Sequence, residues 1–474
     1  MTLAEILTIQ TAEGGAELTD TARLLHRLAV ETDEAAQAEA ERYLKSYSPE
    51  DAEATEALRA MLASLSEGEG KGAGFLVTGP PGCGKSHLLG AVMLLAGADE
   101  ARRTMAHQRS DLVRPLRALH DAPPLLVVPV PLEEHRGRDE LLEDIIFGRT
   151  EWQLGRAPYN IQVPLSQHGY ALELVQRHVV PQYEEELNEF VTERVEGVAS
   201  WGELRDADEE AAVRMGRQFA QMINYPLDFK QSRVERMARL LEVADGELLS
   251  GIVYVIDDLG HFLASVGEKA MHGDLQFLEF LAHRSKIAPI WTVAALEVAL
   301  RELPGVEPHL ARRISDMYGG GLPLSTAHIR SVASESVTPT GDDQQMTQAI
   351  DEAWSAWGEA FEEPGFSEDE LWESYPLEPT AARCVEEISL RLLGRADGLL
   401  NVMRKLAESE VLAERGHLEL VGADVVLEMM LGQLRANPEA APYVGQVLEY
   451  YDRQATEVAP GAPELLRRLV KLMV

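Results

Sequence analysis

The chain is short of cysteine, of positive charge and of long apolar runs, and each shortage closes off a class of protein. Its two cysteines, Cys83 and Cys384, cannot staple a disulfide-rich secreted scaffold or build a thiolate cluster, and no zinc-like Cys/His spacing accompanies them. A reducing compartment fits this usage, and a cytoplasmic protein is expected. No stretch reaches about eighteen consecutive apolar residues. The richest, Leu88–Gly97, has the length of a buried helix, so no membrane span is expected. Residues Met1–Gly15 lack the basic region, apolar core and small-residue cleavage site of an export signal. Lys plus Arg number 43 against 79 Asp plus Glu, a net charge of −36 that would repel a phosphate backbone. A general basic nucleic-acid coat is thereby excluded, while a local basic channel or a partner bringing its own positive charge stays open. What remains, 45% hydrophobic and 26% charged over 474 residues, is soluble globular composition with length for two or three cores.

Residues 16–66 carry helical apolar spacing on an acidic background, with Leu24, Leu25 and Leu28 followed by Ala36–Leu44, and Ser66–Gly72 reads as a flexible approach. From Gly74 short apolar runs alternate with helices. Strands are predicted at Phe75–Thr78, Leu125–Val130, Ile252–Ile256, Ala288–Val293 and Leu322–Ser325, with helices from Lys85, near Asp139–Phe147, at Gly273–His283 and at Val306–Met317. This rhythm predicts a three-layer α/β fold with a five-stranded, mostly parallel sheet. Helical stretches at Ala171–Ala199, Asp206–Tyr225 and Ser232–Val243 interrupt it as an insertion at about 150–250. Ser331–Gln345 is polar and reads as irregular; from Gln348 the chain is helical, with breaks at Pro364, Pro376, Pro379, Pro438 and Pro460. The expected organisation is a helical N-terminal region at 1–70, an α/β core at 71–330 and a helical lid and C-terminal region at 331–474.

The most legible chemistry is Gly79-Pro80-Pro81-Gly82-Cys83-Gly84-Lys85-Ser86, which satisfies G-x-x-x-x-G-K-[ST] between a predicted strand and a predicted helix. Glycines let the backbone curl its N–H groups toward phosphate oxygens, and the helix N-terminus adds its positive dipole end. Lys85 reaches the β and γ phosphates, Ser86 can ligate Mg²⁺, and His87 continues the segment expected to line bound ATP. The apolar run Ile252–Ile256 ends in Asp257-Asp258. Asp257 is the expected Mg²⁺-side acid; Asp258 falls where a carboxylate could orient the attacking water, one methylene shorter than the Glu often expected there. Thr292, on the following strand, is a candidate for sensing the γ phosphate. The acidic clusters Glu184–Glu186 and Asp206–Glu210 read as solvated faces, and Trp354, Trp357, Trp372 and Tyr375 as an aromatic seam beneath acidic helices.

Together the second acid, the polar strand residue and the late arginines resemble the AAA+ class of P-loop ATPases. Gly74–Leu95, Asp274–Leu278 with Phe280-Leu281, Ala294–Leu300, Gly305–Met317, Leu324–Ile329 and Tyr375–Thr380 are similar, in order and spacing over about residues 18–404, to the large ATPases of bacterial phage-exclusion systems, the BrxC and PglY type of BREX and Pgl. This chain carries Glu378 where that family usually reads His. The resemblance implies an ATPase serving a multi-protein defence complex that reaches DNA through the complex, with Gly79, Gly84, Lys85, Ser86, Asp257 and Asp258 as its carried-over residues. It also implies a shared site in a ring or nucleotide-dependent oligomer. Arg313, with Arg312 beside it, is the nominal arginine facing a neighbour's nucleotide; Arg395 and Arg404 are the alternatives within one chain. Two other functions fit the same motifs: an ATP-gated scaffold with little turnover, and a protein-remodelling ATPase unrelated to defence.

Overall fold

A computed structural model describes residues 1–9, 17–30, 33–46, 52–67, 70–137, 140–326 and 328–448. The expected helix start at Asp139, part of the approach at Ser66–Gly72, the break at Pro460 and residues 449–474 of the C-terminal region lie outside the described residues.

Among the described residues there are seven strands: β1 (Leu7–Ile9), β2 (Gly74–Thr78), β3 (Leu125–Pro131), β4 (Gly251–Asp257), β5 (Ile290–Leu296), β6 (Leu322–Pro323) and β7 (Val337–Pro339). Five of them form one parallel sheet in the order β3-β4-β5-β2-β6. Strands β3, β4 and β5 read as continuous apolar runs because helices cover both faces, as parallel sheets require. The period of two then assigns the faces. Val77, Val253, Val255, Val293 and Ala295 pack with the helix Lys85–Gly97 and the N-terminal helices Leu18–Val30, Glu34–Ser46 and Ala52–Glu67. Leu76, Ile252, Tyr254, Ile256, Ala294 and Leu296 pack on the other side with Leu142–Leu154, Leu259–Ser265, Glu268–Ser285 and Pro308–Met317.

The helices inserted between β3 and β4 divide into two groups. Those from Gln167 to Met222 close a core of their own around Val175, Leu187, Phe190, Trp201 and Phe219, with the Trp201 indole donating to the Ala212 carbonyl at 3.0 Å. The helix Arg233–Gly246 instead packs on the sheet layer through Met237 and Leu240. There Arg236, 2% exposed, bonds Glu143 at 2.6 Å and Asp144 at 2.9 Å while lying over the Phe147 ring.

The segment Ser331–Gln345 is not irregular. It contains the end of a helix at His328–Glu335, then β7, then the start of a helix at Asp343–Glu362. β7 pairs antiparallel with β1, so Leu7 and Ile9 join Leu3 in the C-terminal core beside Val337, Ile350, Leu377 and Leu399. Three-residue strands leave no readable alternation, and this partner lies at the other end of the chain. In the same region Tyr375 is buried, Trp354 and Trp372 pack against the core, and the exposed Trp357 donates to the Leu418 carbonyl. Among the described residues no helix is long and apolar enough to cross a membrane.

Candidate nucleotide site

The loop after β2 turns where its glycines permit. Gly82 and Gly84 sit at φ +81° and +88°, the left-handed region that costs an L-residue about 1–2 kcal/mol. At Gly79 a Cβ would come within 2.6 Å of Cys83 Sγ and 2.9 Å of the Leu324 carbonyl oxygen. The Gly79 N–H donates to the Leu296 carbonyl at 3.2 Å, tying the loop to the end of β5. Helix Lys85–Gly97 begins without a side-chain cap, so its first N–H groups are not spent on a capping side chain. Lys85 folds back over the loop, 7% exposed, its ammonium donating to the carbonyls of Gly79 at 2.7 Å and Pro80 at 3.0 Å. Burial raises the Cys83 thiol above its ordinary range and keeps it protonated, which suits a packing role. His87 faces away into the N-terminal helices, edge to face with Tyr43 at 4.6 Å, while the Tyr43 hydroxyl donates to the His87 carbonyl.

β5 separates β2 from β4, and the acids at the end of β4 come to the loop across it. Ser86 lies close enough to the Asp257 carboxylate to favour its charged form. Burial raises the Asp257 pKa, opposed by the nearby Ser86 hydroxyl and by the Asp258 N–H, which donates to Oδ1 at 2.9 Å. A half-buried carboxylate near a serine hydroxyl, beside an uncapped helix start, is the donor set a divalent cation would take, so Ser86 and Asp257 fit Mg²⁺.

Asp258 begins the helix Leu259–Ser265 with φ +64°. Its Oδ2 accepts from the Arg136 guanidinium and its Oδ1 lies 2.7 Å from His261 Nδ1, which is also 3.3 Å from Glu297 Oε1. Asp258, His261 and Glu297 bring three ligand-type atoms within 4.8 Å of one another, but Arg136 already supplies the counter-charge to that carboxylate. Arg136, His261 and Glu297 escaped the sequence reading. Only Glu297 had a local signal, as the first polar side chain after the apolar run of β5.

Thr292 is a correction. β5 extends to Leu296 rather than ending at Val293, and Thr292 pairs with Gly74, at the far end of β2 from the loop, where it is 1% exposed. Burial at that end keeps it from the phosphate cradle. Arg312 projects outward with a loose contact to Asp316 at 3.9 Å; Arg313 grips Glu279 with two nitrogens at 2.8 Å. Neither meets the loop of its own chain. The segment before helix Gly398–Ala407 does: the Ala396 N–H donates to the Pro81 carbonyl at 2.7 Å, and a Cβ on Gly82 would lie 2.6 Å from Asp397 Oδ1. Asp397 is partly buried, which disfavours its charge, but its bidentate partner Arg395 outweighs this and holds the carboxyl below its usual range. Arg404 turns to Asn401.

The loop, the helix that follows it and the five-stranded parallel sheet have the form of a P-loop α/β fold. No protein-family model matches the chain, and comparison with curated proteins finds no match. Among solved structures, Cdc6p from Pyrobaculum aerophilum is similar at 11% identity and a TM-score of 0.36, over 95% of this chain and 84% of that one. A likeness of that size supports no statement about activity.

Proposed function

We propose that this protein is a Mg²⁺-dependent AAA+ ATPase whose turnover assembles or remodels a multi-protein complex. The observation that carries the reading is the approach of Ser86 to the half-buried Asp257 directly behind the Lys85 loop. In this reading residues Gly79–Ser86 hold the ATP phosphates, and Lys85 exchanges its two loop carbonyls for phosphate oxygens. Ser86 and Asp257 hold Mg²⁺, whose charge offsets that of the β and γ phosphates. The α/β core at 71–330 is then the ATPase proper, flanked by the helical regions at 1–70 and 331–474. Self-association completes the site, with Arg313 or Arg312 offered to a neighbour. Within the phage-exclusion resemblance, the partners are other defence proteins, DNA is reached through them, and the setting is cytoplasmic; the −36 charge supports indirect rather than direct DNA contact.

The test is Lys85→Ala. Removing the ammonium from phosphate costs about 3–4 kcal/mol at an effective dielectric constant near 20, or roughly 100- to 1,000-fold in affinity. Titration with a fluorescent ATP analogue reads this directly, and affinity within threefold of wild type defeats the site. A second reading, an ATP-gated scaffold with little turnover, is favoured by one observation: both oxygens of Asp258 are already engaged, by Arg136 and His261. A steady-state ATPase rate, with and without duplex DNA and partners, separates the two.

A further inference from the structure

We propose that Glu297, rather than Asp258, is the carboxylate that orients and deprotonates the attacking water, an inference that rests on the ATPase reading. Four acids stand near the loop among the described residues, and one of them, Asp397, has both oxygens held by Arg395. Asp257 is half-buried, lies near Ser86, accepts the Asp258 N–H and belongs to the metal side. Asp258 has spent one oxygen on Arg136 and the other on His261, with only 14% of its side chain exposed. Glu297 remains.

Its position follows from the sheet. β5 lies between β2 and β4; Leu296 pairs with Thr78, and the Leu296 carbonyl accepts from the first loop glycine. The next residue therefore leaves the sheet between the phosphate loop and the paired acids. Glu297 is close enough to the loop for its charge to act on Cys83, and its side chain is 17% exposed. Gly260 makes room for it, since a Cβ there would fall 2.3 Å from Glu297 Oε2. Glutamate also supplies the methylene that Asp258 lacks. His261, between the two carboxylates, and Arg136 beyond Asp258 then act as positioning residues.

In the step, a water oxygen forms a bond to the γ phosphorus as the bond from that phosphorus to the β–γ bridging oxygen breaks. ADP leaves with the electron pair, Glu297 takes the water proton, and that proton passes to the released phosphate and restores the carboxylate. Water and ATP yield ADP and phosphate, with no other reactant consumed.

The full-length chain is measured as wild type, Glu297→Gln, Glu297→Asp and Asp258→Asn. Glu297→Gln is expected to bind a fluorescent ATP analogue within threefold of wild type and to lose about 100-fold or more in turnover, the scale of general-base catalysis. Nucleotide recovered from it after incubation should be ATP rather than ADP. Glu297→Asp, which keeps the charge on a shorter arm, should fall between; should the Gln variant not fold, an Asp variant with normal binding and wild-type turnover overturns the proposal. Asp258→Asn should lose less turnover than Glu297→Gln. Glu297→Gln within threefold of wild-type turnover, or a greater loss in Asp258→Asn, also overturns it. Absence of turnover in wild type that still binds nucleotide overturns the ATPase reading itself, a result distinct from failure at Glu297.

Discussion

Asp274 should weaken the fold as pH rises, and Asp274→Asn should remove that dependence. Its side chain, 1% exposed, lies on the helix Glu268–Ser285 and accepts the Leu142 N–H at 2.8 Å, capping the start of Leu142–Leu154 from a distant part of the chain. The other oxygen, Oδ2, is buried without a hydrogen-bond partner. Burial is the main cause that pushes this carboxyl from 3.8 up to about 7, opposed by the Leu142 bond and aided by the charges of Asp144 and Glu143. Between these two values the folded chain holds a proton that the unfolded chain has released, so stability falls as pH rises. Below the unfolded pKa the contribution is fully present; by pH 8 it is lost. A difference of about three pH units corresponds to roughly 4 kcal/mol as an upper limit. Asparagine keeps the acceptor for Leu142 and cannot ionise, but its amide hydrogens replace an unpartnered oxygen at a cost of about 1–3 kcal/mol. The pH-dependent part cancels that cost from the comparison. Asp274→Asn should therefore gain about 2 kcal/mol relative to wild type between pH 5 and pH 8, a differential Tm shift of about 4–8 °C for a unit of this size. Thermal scans of both proteins at the two pH values read it. Parallel curves, with the same Tm difference at pH 5 and pH 8, refute the reasoning.

Asp257→Asn should keep nucleotide binding in the absence of Mg²⁺ and lose the Mg²⁺-dependent turnover, measured by titrating Mg²⁺ at fixed ATP; turnover that still saturates normally with Mg²⁺ removes Asp257 from the metal. Mixing Arg312→Ala/Arg313→Ala protein with Lys85→Ala protein should restore part of the ATPase rate if the arginines act on a neighbour's nucleotide, since one subunit brings an intact loop and the other intact arginines. No recovery, together with full activity from a sedimenting monomer, defeats the shared site. The isolated chain should bind duplex DNA weakly at physiological salt because of its −36 charge, and a submicromolar affinity in a salt titration contradicts this.

What was legible in the sequence was local. The P-loop could be read because its strand, its glycines and its helix lie within Gly74–Gly97, and the chemistry needs them in that order. The parallel sheet was legible from its apolar runs. The end of β5 was not: after Val293 the chain reads Ala-Ala-Leu, and alanine is a weak strand former that continues a buried strand here only because β2 and β4 flank it. A strand ending at Val293 would put Thr292 near its C-terminal end, whereas the three further residues put Glu297 there. The network around Asp258 was out of reach for another reason. Arg136 is 122 residues away in the chain, and nothing in its own neighbourhood marks it as different from any exposed arginine. Arg395 is legible as a candidate arginine for a nucleotide within the same chain, but its pairing with Asp397 and the seating of that pair on the loop are tertiary facts.

The apolar run that begins at Leu88 had a meaning that emerges only with the fold. A helix on the surface of a sheet normally keeps a polar face. Leu88–Ala96 is buried throughout, so something must cover the side away from the sheet. The N-terminal helices do so at two points of close approach: a Cβ on Gly90 would lie 2.0 Å from the Tyr43 hydroxyl, and one on Gly97 would lie 2.7 Å from Leu25 Cδ1. Those glycines are required by neighbours outside the P-loop motif. Tyr43, bonded to the backbone of His87 two residues beyond Lys85, places the same helices against the first turn of the phosphate-binding helix. The N-terminal helices are therefore part of the wall that positions the loop, and deleting them would expose an apolar helix face rather than remove an appendage.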